Sequence, residues 1–479
     1  MMRALLLLLP LLLVACSGGD DDDAAASAND APGSTALAAK PVDIETEDLT
    51  RLVDWDNVFE SSQLPPREDL SRIIVALAEA EDPRYEAFLI DLAFLPTPYW
   101  KLAMEQLLQR PGPFSTDDLL KVVEERGFLG PDDDLPQYLE FKQDIFATII
   151  AEFGRFLDPD APRTISAQEI VWGGVAVDGI PPLEAPRFLT PSEAAAWIFA
   201  DDQVIGVELN GDARAYPRRI IEWHEMVNDT VGGVPVSLAF CTLCGSAILY
   251  DGRHGDQVYR FGTSGLLYRS NKLMYDRNTR SLWEQFTGEP AWGSLVGTGV
   301  KLTTLPVVHT TWEAWLADHP DTKVLDIDTG FDRDYASGAA YRDYWASSDL
   351  IFPAPDRDGP LGRKDSVLAV RIDDQVTAYP IALLASEALI QDQIGDRPVL
   401  IVATADGSGG RAYESGGLEF RLVDLAQGDL ASSDGRRWRL TEAALVAEDG
   451  AELQRLPGHN AFWFAVTNHA TDWRLYGDD

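Results

Sequence analysis

Apolar positions follow a helical period in the first third of the chain. One helical face is formed by residues three and four apart, namely Tyr138, Phe141, Ile145 and Ile149. Ser115 is expected to open another helix, and Gly127 to end it. This spacing predicts several short helices between about residues 52 and 157.

From about residue 171 the pattern changes to β-branched, strand-like runs separated by Gly and Pro turns. Thr190-Pro191-Ser192-Glu193 is typical of a helix start, because Thr caps the first turn, Pro fits inside it and Glu reaches back to the cap. Between Val234 and Tyr250, two apolar runs flank Cys241-Thr242-Leu243-Cys244-Gly245. Gly245 can adopt a positive φ, so the sequence predicts a tight turn between two strands.

A long stretch of this strand-rich pattern occurs twice. The run from Val204 to Pro217 matches the run from Val367 to Pro380, and the match continues through the next Gly turn and apolar strand. Repetition over such a length indicates two copies of one unit. We therefore predict an α+β fold, in which a helical N-terminal domain precedes two tandem copies of a mainly β unit with inserted helices. The expected ranges are a signal peptide at 1–15, a disordered tether at 16–45, the helical domain at 46–160, a first repeat with the Cys/His site at 161–350 and a second, degenerate repeat at 351–479.

The first apolar run of the sequence indicates where in the cell the protein is located. It follows Arg3 and extends from Ala4 to Ala15, which is too short to span a bilayer core of ~30 Å and is typical of an export signal. Leu13-Val14-Ala15-Cys16 fits a lipobox, in which Cys16 becomes the first mature residue and carries acyl chains such as palmitate. Ser17 favours the outer membrane. We expect a lipoprotein of the cell envelope facing the periplasm or the cell surface; an ordinary secretory signal before a chance cysteine is the alternative.

The charge of the chain restricts its partners. The formal net charge is −39, from 78 acidic and 39 basic residues. We do not expect nucleic-acid binding, because phosphate recognition needs clustered Lys and Arg. The helical domain contains no His or Cys, so we assign it to packing or to docking of a protein partner. The expected membrane contact is the lipid on Cys16.

The strongest candidate site is a cysteine pair with a histidine. Of three cysteines, Cys16 is assigned to the lipid, which leaves Cys241 and Cys244. In the second copy, the positions of His224, Cys241 and Cys244 are occupied by Glu387, Thr404 and Gly407. The joint absence of all three indicates one role that is performed once per chain.

Two thiolates and one imidazole suit a soft metal ion, copper before zinc, with an open further position for which Glu225 and Met274 are candidates. Dithiol–disulfide exchange and a structural or inert cysteine pair are the alternatives. A possible pocket is formed by Glu225, Tyr268, Asn271, Met274, Asp276, Arg277 and Trp283. A turn-rich edge with buried aromatic residues explains the same pattern equally well.

Several of these motifs together resemble a known family, domain of unknown function 3179. They are Gly173-Gly174, Asp178-Gly179-Ile180-Pro181, Asn210-Gly211, Ala215-Tyr216-Pro217, Trp223-His224-Glu225, Val227-Asn228-Asp229, Cys241-Thr242-Leu243-Cys244-Gly245, Met274-Tyr275-Asp276-Arg277 and Ser281-Leu282-Trp283. The resemblance extends over roughly residues 171 to 476. Family members usually have Pro where this chain has Thr242, a departure that leaves the cysteine spacing intact. The resemblance implies a domain assignment and no activity.

We therefore expect an exported, lipid-anchored protein that holds a soft metal ion through His224, Cys241 and Cys244, for electron transfer or metal handling. A periplasmic thiol–disulfide oxidoreductase and a non-catalytic interaction lipoprotein are the two alternative functions. The sequence contains no nucleophile elbow, phosphate-binding loop or zinc-protease helix, and it leaves open whether the protein is an enzyme.

Overall fold

The structure is a computed structural model that describes residues 49, 51–52, 68–95, 99–357 and 359–478. The predicted signal peptide, Cys16 and the tether lie outside the described residues. The chain is mixed α+β, which confirms the expected class. Among the described residues, no helix has both the length and the apolar character needed to cross a bilayer.

The described residues before the first strand are mainly helical. The helices are α1 (Glu68–Ala78), α2 (Glu86–Phe94), α3 (Trp100–Leu108), α4 (Thr116–Glu125), α5 (Pro136–Ile149) and α6 (Phe153–Phe156). Ser115 caps α4 with a complete capping box, and Gly127 follows its end with a φ of 70°, as the sequence predicted.

These helices pack on one face of a five-stranded antiparallel sheet, sheet I. Its order is β1 (Ile170–Trp172), β11 (Phe261–Tyr268), β12 (Asn271–Asp276), β13 (Leu282–Glu284) and β14 (Pro290–Trp292). Alternate residues of β12 face opposite sides: Leu273 and Tyr275 contact the helices, whereas Met274 faces the centre of the molecule. Strand β12 is therefore buried on both faces.

Sheet II carries the cysteine turn, and sheet III packs behind it. The order in sheet II is β15 (Thr304–Leu305), β8 (Ser246–Asp251), β7 (Val234–Cys241), β6 (Met226–Val231) and β2 (Leu183–Glu184). The order in sheet III is β16 (Val308–Thr311), β4 (Gln203–Leu209), β5 (Asp212–Pro217), β17 (Lys323–Leu325) and β3 (Phe188–Leu189). A separate pair is formed by β9 (Arg253–His254) and β10 (Gln257–Val258). The helices of this part are α7 (Pro191–Ala194), α8 (Arg218–Ile221), α9 (Trp312–Asp318) and α10 (Arg342–Ala346).

The C-terminal part contains two further sheets. The order in sheet IV is β28 (Gly458–Phe462), β18 (Ser366–Ile372), β19 (Gln375–Pro380) and β29 (Asp472–Leu475). The order in sheet V is β20 (Leu389–Ile394), β21 (Arg397–Ala403), β22 (Gly410–Glu414), β27 (Glu452–Leu456), β26 (Ala444–Ala447), β25 (Arg437–Leu440), β24 (Asp429–Ser432) and β23 (Phe420–Asp424). The two helices here are α11 (Ile381–Glu387) and α12 (Trp463–His469).

Sheets III and IV share one pairing pattern. In sheet III, β16 and β5 flank β4 as antiparallel neighbours and β17 adds to β5 in parallel. In sheet IV, β28 and β19 flank β18 in the same way and β29 adds to β19 in parallel. Two of the strands in each sheet, β4 and β5 in sheet III and β18 and β19 in sheet IV, fall within the two runs of matching sequence.

The central apolar cluster lies where sheets I, II and IV face one another. It combines Met274 and Trp283 from sheet I, Ala239 and Ile248 from sheet II, and Ala369 from sheet IV. Cys241 and Cys244 belong to this cluster. The candidate site is therefore placed by three sheets, of which one belongs to the C-terminal part of the chain.

Candidate functional site

The cysteine pair occupies the turn between β7 and β8. Strand β7 ends at Cys241, one 3-10 turn spans Thr242–Cys244, and β8 starts at Ser246, which pairs with Cys241. Gly245 closes the turn in the left-handed region with a φ of 61°. The predicted tight turn is confirmed. Both cysteines are free and buried, with 1% and 0% of their surface exposed.

The Cys244 sulfur has two polar partners besides the other thiol. Its Sγ lies 3.4 Å from the backbone oxygen of Ser270, to which the thiol donates, and 3.1 Å from Asn271 Nδ2, which donates to the sulfur. Burial raises the pKa of the Cys244 thiol, and the adjacent Cys241 thiol raises it further. The amide of Asn271 opposes both effects, because an N–H donor favours the thiolate.

The Asn271 amide is itself held by Gln285. Asn271 Nδ2 donates to Gln285 Oε1 at 2.8 Å, and Gln285 Nε2 donates to the backbone oxygen of Ala239 at 3.0 Å. Ser246 Oγ adds a further donor to Gln285 Oε1 at 3.3 Å. All four residues are buried, so this network connects sheet I to both strands that carry the cysteine turn.

A buried ion pair lies beside the thiols. Lys272 and Glu225 are 4% and 7% exposed, and Lys272 Nζ lies 3.8 Å from Glu225 Oε2 and 2.5 Å from the Glu225 backbone oxygen. Burial lowers the pKa of Lys272, while the charges of Glu225 and Cys241 oppose that shift. Burial raises the pKa of Glu225, which Lys272 and Thr242 oppose. The lysine therefore interacts with both the carboxyl group and a thiol.

The connection between sheets III and IV covers the turn. The Tyr344 hydroxyl donates to the backbone oxygen of Leu243 at 2.6 Å. A Cβ added to Gly245 would lie 3.2 Å from the Trp345 ring and 3.4 Å from the Phe462 ring, so both aromatics lie directly on the turn. These contacts explain why neither cysteine reaches solvent.

His224 is turned toward other partners. It follows the end of α8 by three residues and is not part of that helix. Its Nδ1 lies 2.7 Å from the backbone oxygen of Pro181, which can only accept, so Nδ1 carries the proton. Its Nε2 lies 2.6 Å from the Tyr335 hydroxyl. Both ring nitrogens are occupied, and burial lowers the pKa of the imidazole.

The next residue, Glu225, lies near the thiols, although its carboxyl group has Lys272 and Thr242 as its partners. It adopts a left-handed φ of 54°, and its carboxyl group interacts with Lys272 and Thr242 and raises the pKa of Cys244. The structure thus brings Cys241 and Cys244 together without the imidazole of His224. Within the described part of the chain, no group of three or more His, Cys, Asp or Glu side chains is arranged to hold a metal ion.

The remaining predicted pocket residues have mainly packing and hydrogen-bonding contacts. Met274 packs in the cluster that contains both cysteines, and Tyr268 lies against the Arg269–Glu169 ion pair. Asp276 accepts from the backbone of Asn278, Thr279 and Ser281 and from Trp283 Nε1, which organises the turn after β12. Arg277 pairs with Asp178. Of the predicted set, Glu225 and Asn271 have polar interactions at the cysteine site.

Lys272 and Gln285 were not among the residues predicted from the sequence. Lys272 offered only a weak signal, because a lysine within a strand ordinarily lies on a solvated face. Gln285 had no comparable signal, since a single glutamine after a short strand is usually at the surface.

Comparisons with known proteins agree with the motifs. A family profile described as "Protein of unknown function (DUF3179)" matches residues 177–472, which confirms the expected resemblance. No curated protein and no solved structure matches the chain.

Proposed function

The chain belongs to the DUF3179 family of proteins of unknown function, and from its buried thiol pair we propose that it binds one copper(I) ion between Cys241 and Cys244. The observation that carries the proposal is the contact of two buried, free sulfurs in one tight turn, with the Asn271 amide donating to one of them.

The donor set favours copper over zinc. Soft thiolate ligands select Cu(I), and Cu(I) accepts a coordination number of two. A structural zinc site takes four protein ligands, whereas the described residues at this turn offer two sulfurs and no third His, Cys, Asp or Glu in position. His224 is left out of the proposed ligand set, because Pro181 and Tyr335 occupy its nitrogens.

Two neighbouring groups partly offset the cost of a buried thiolate. The Asn271 amide donates to Cys244 Sγ, and the Lys272 ammonium interacts with Cys241. Two thiolates with one Cu(I) carry a net charge of −1, which a buried site must compensate. The Lys272 ammonium is the buried cation beside the thiols that could provide this compensation.

The proposed location of the protein and the proposed roles of its parts rest on the sequence. We place the protein in the cell envelope, anchored by acyl chains on Cys16, where it handles copper or transfers electrons. The helical N-terminal domain is proposed to pack or dock a partner, and the strand-rich part to consist of two tandem copies. The shared pairing pattern of sheets III and IV supports the duplication.

The test is a copper titration of reduced, full-length protein without oxygen, in competition with a chromophoric Cu(I) chelator. We expect about one Cu(I) per chain. Cys241→Ser and Cys244→Ser should each abolish binding, and the Thr242→Ser control in the same turn should retain it. Unchanged stoichiometry in the double Cys→Ser variant would refute the proposal.

A second candidate function is thiol–disulfide exchange, favoured by the direct contact between the two thiols. In that reaction Cys241 and Cys244 lose two protons and two electrons to form one disulfide, while a partner disulfide becomes two thiols. Redox titration of metal-free protein distinguishes the functions. A reversible potential in the range of exchange proteins supports the second, and a deeply stable disulfide excludes it.

A further inference from the structure

We infer that Gln285 is a positioning residue, which fixes the Asn271 amide so that an N–H group faces Cys244 Sγ. The inference deepens the proposed copper site, because a metal-binding thiolate needs a donor and not a carbonyl oxygen beside it. Gln285 itself does not contact the sulfur; it acts through Asn271.

In this series of hydrogen bonds, one backbone oxygen determines which group donates and which accepts at every step. The Ala239 carbonyl can only accept, so the Gln285 NH₂ group must point toward it. The Gln285 oxygen is thereby directed at Asn271, and only the Asn271 NH₂ group can donate to it. The second N–H of the same NH₂ group points at Cys244 Sγ. The Asn271 oxygen is consequently kept away from the sulfur.

Burial makes this orientation matter. Gln285 and Cys244 are both 0% exposed and Asn271 is 2% exposed, so water cannot replace a lost donor. Without Gln285, the Asn271 amide could rotate and present its oxygen to the sulfur, which would disfavour the thiolate. The hydrogen bond from the Asn271 amide to a thiolate is charge-assisted, so its loss is expected to weaken Cu(I) binding about tenfold.

The first experiment uses Asn271→Leu and Gln285→Met in full-length protein. Their matched controls are Asn468→Leu and Gln168→Met, which remove buried amides elsewhere in the chain. We expect Cu(I) affinity to fall about tenfold in the two site variants, with no such loss in the controls.

The second experiment reads the thiol without copper. In full-length protein with Cys16→Ser and Cys241→Ser, the infrared S–H stretching band reports the surroundings of Cys244 alone. We expect the band to shift in Asn271→Leu and Gln285→Met, and to stay in place in the two controls. This measurement separates the inference from the proposed function. If the band shifts in the variants but the wild-type protein does not bind copper, the role of Gln285 is supported and the copper site is refuted.

A conservative replacement adds a pH-dependent rescue. In Gln285→Glu, the protonated carboxyl can donate to Ala239 and accept from Asn271, whereas the ionised carboxylate cannot donate. We expect affinity close to wild type at low pH and a Gln285→Met-like loss at high pH. An unshifted S–H band in both site variants, or a Gln285→Glu variant that follows the wild-type pH profile throughout, would overturn the inference.

Discussion

Removal of the Lys272 ammonium should make the stability of the protein depend on pH through Glu225. Lys272→Met preserves most of the side-chain volume but leaves the Glu225 carboxyl without its cation. Lys272 is the strongest influence that opposes the burial-induced rise in the pKa of Glu225. In the variant this pKa rises further, because the buried carboxylate loses the cation that stabilises its charged form.

The sign and size of the effect follow from proton linkage. A carboxyl group whose folded-state pKa is raised stabilises the fold at low pH, and this contribution is lost as the pH rises toward the folded pKa. Relative to wild type, the variant should lose about 1.4 kcal/mol per pH unit in the interval where only the wild-type carboxyl is ionised. The difference levels off above the folded-state pKa of the variant's carboxyl group, because both folded proteins are then ionised.

The assay is urea unfolding followed by tryptophan fluorescence, at several pH values between 5 and 8. The matched control is Lys272→Met combined with Glu225→Gln, which replaces the carboxyl by a neutral amide and should remove the added pH dependence. A difference between Lys272→Met and wild type that is constant with pH, or that persists in the double variant, would refute the placement of Lys272 and Glu225 as a coupled buried pair.

Two further substitutions test other parts of the structure. His224→Gln should bind the same number of Cu(I) ions as the wild type. It should lower the free energy of unfolding by about 1–3 kcal/mol, because buried hydrogen bonds are lost. Loss of copper binding in the titration would instead support a site with His224 as a third ligand. Gly206→Ala should lower the melting temperature, since a Cβ there would lie 2.3 Å from the buried Trp315 ring and overpacking costs about 1–3 kcal/mol. Gly130→Ala is its control, with the nearest atom at 3.7 Å, and equal melting temperatures for the two variants would contradict the close packing.

Features set by neighbouring residues could be predicted from the sequence. Ser115 caps its helix because the side chain needs only the next turn to do so. Thr190 and Glu193 form the expected capping box for the same reason. The cysteine turn could also be predicted from the sequence, since Gly245 supplies the left-handed residue that closes the turn.

Features set by distant contacts could not be predicted. The directions in which His224 and Glu225 point depend on the left-handed φ of Glu225 in the turn after α8, and the residue types do not specify this conformation. Lys272 would ordinarily mark a solvated face of a strand. Helices pack against one side of sheet I and the central cluster against the other, and this arrangement buries β12 completely.

X-ray absorption at the copper edge, on full-length protein loaded with one equivalent of Cu(I), identifies the atoms that bind the ion. We expect two sulfur neighbours and no imidazole nitrogen, with the sulfur signal absent from the protein in which both Cys241 and Cys244 are serine. A spectrum dominated by nitrogen or oxygen neighbours, or one that the serine replacements leave unchanged, would contradict the proposed copper site.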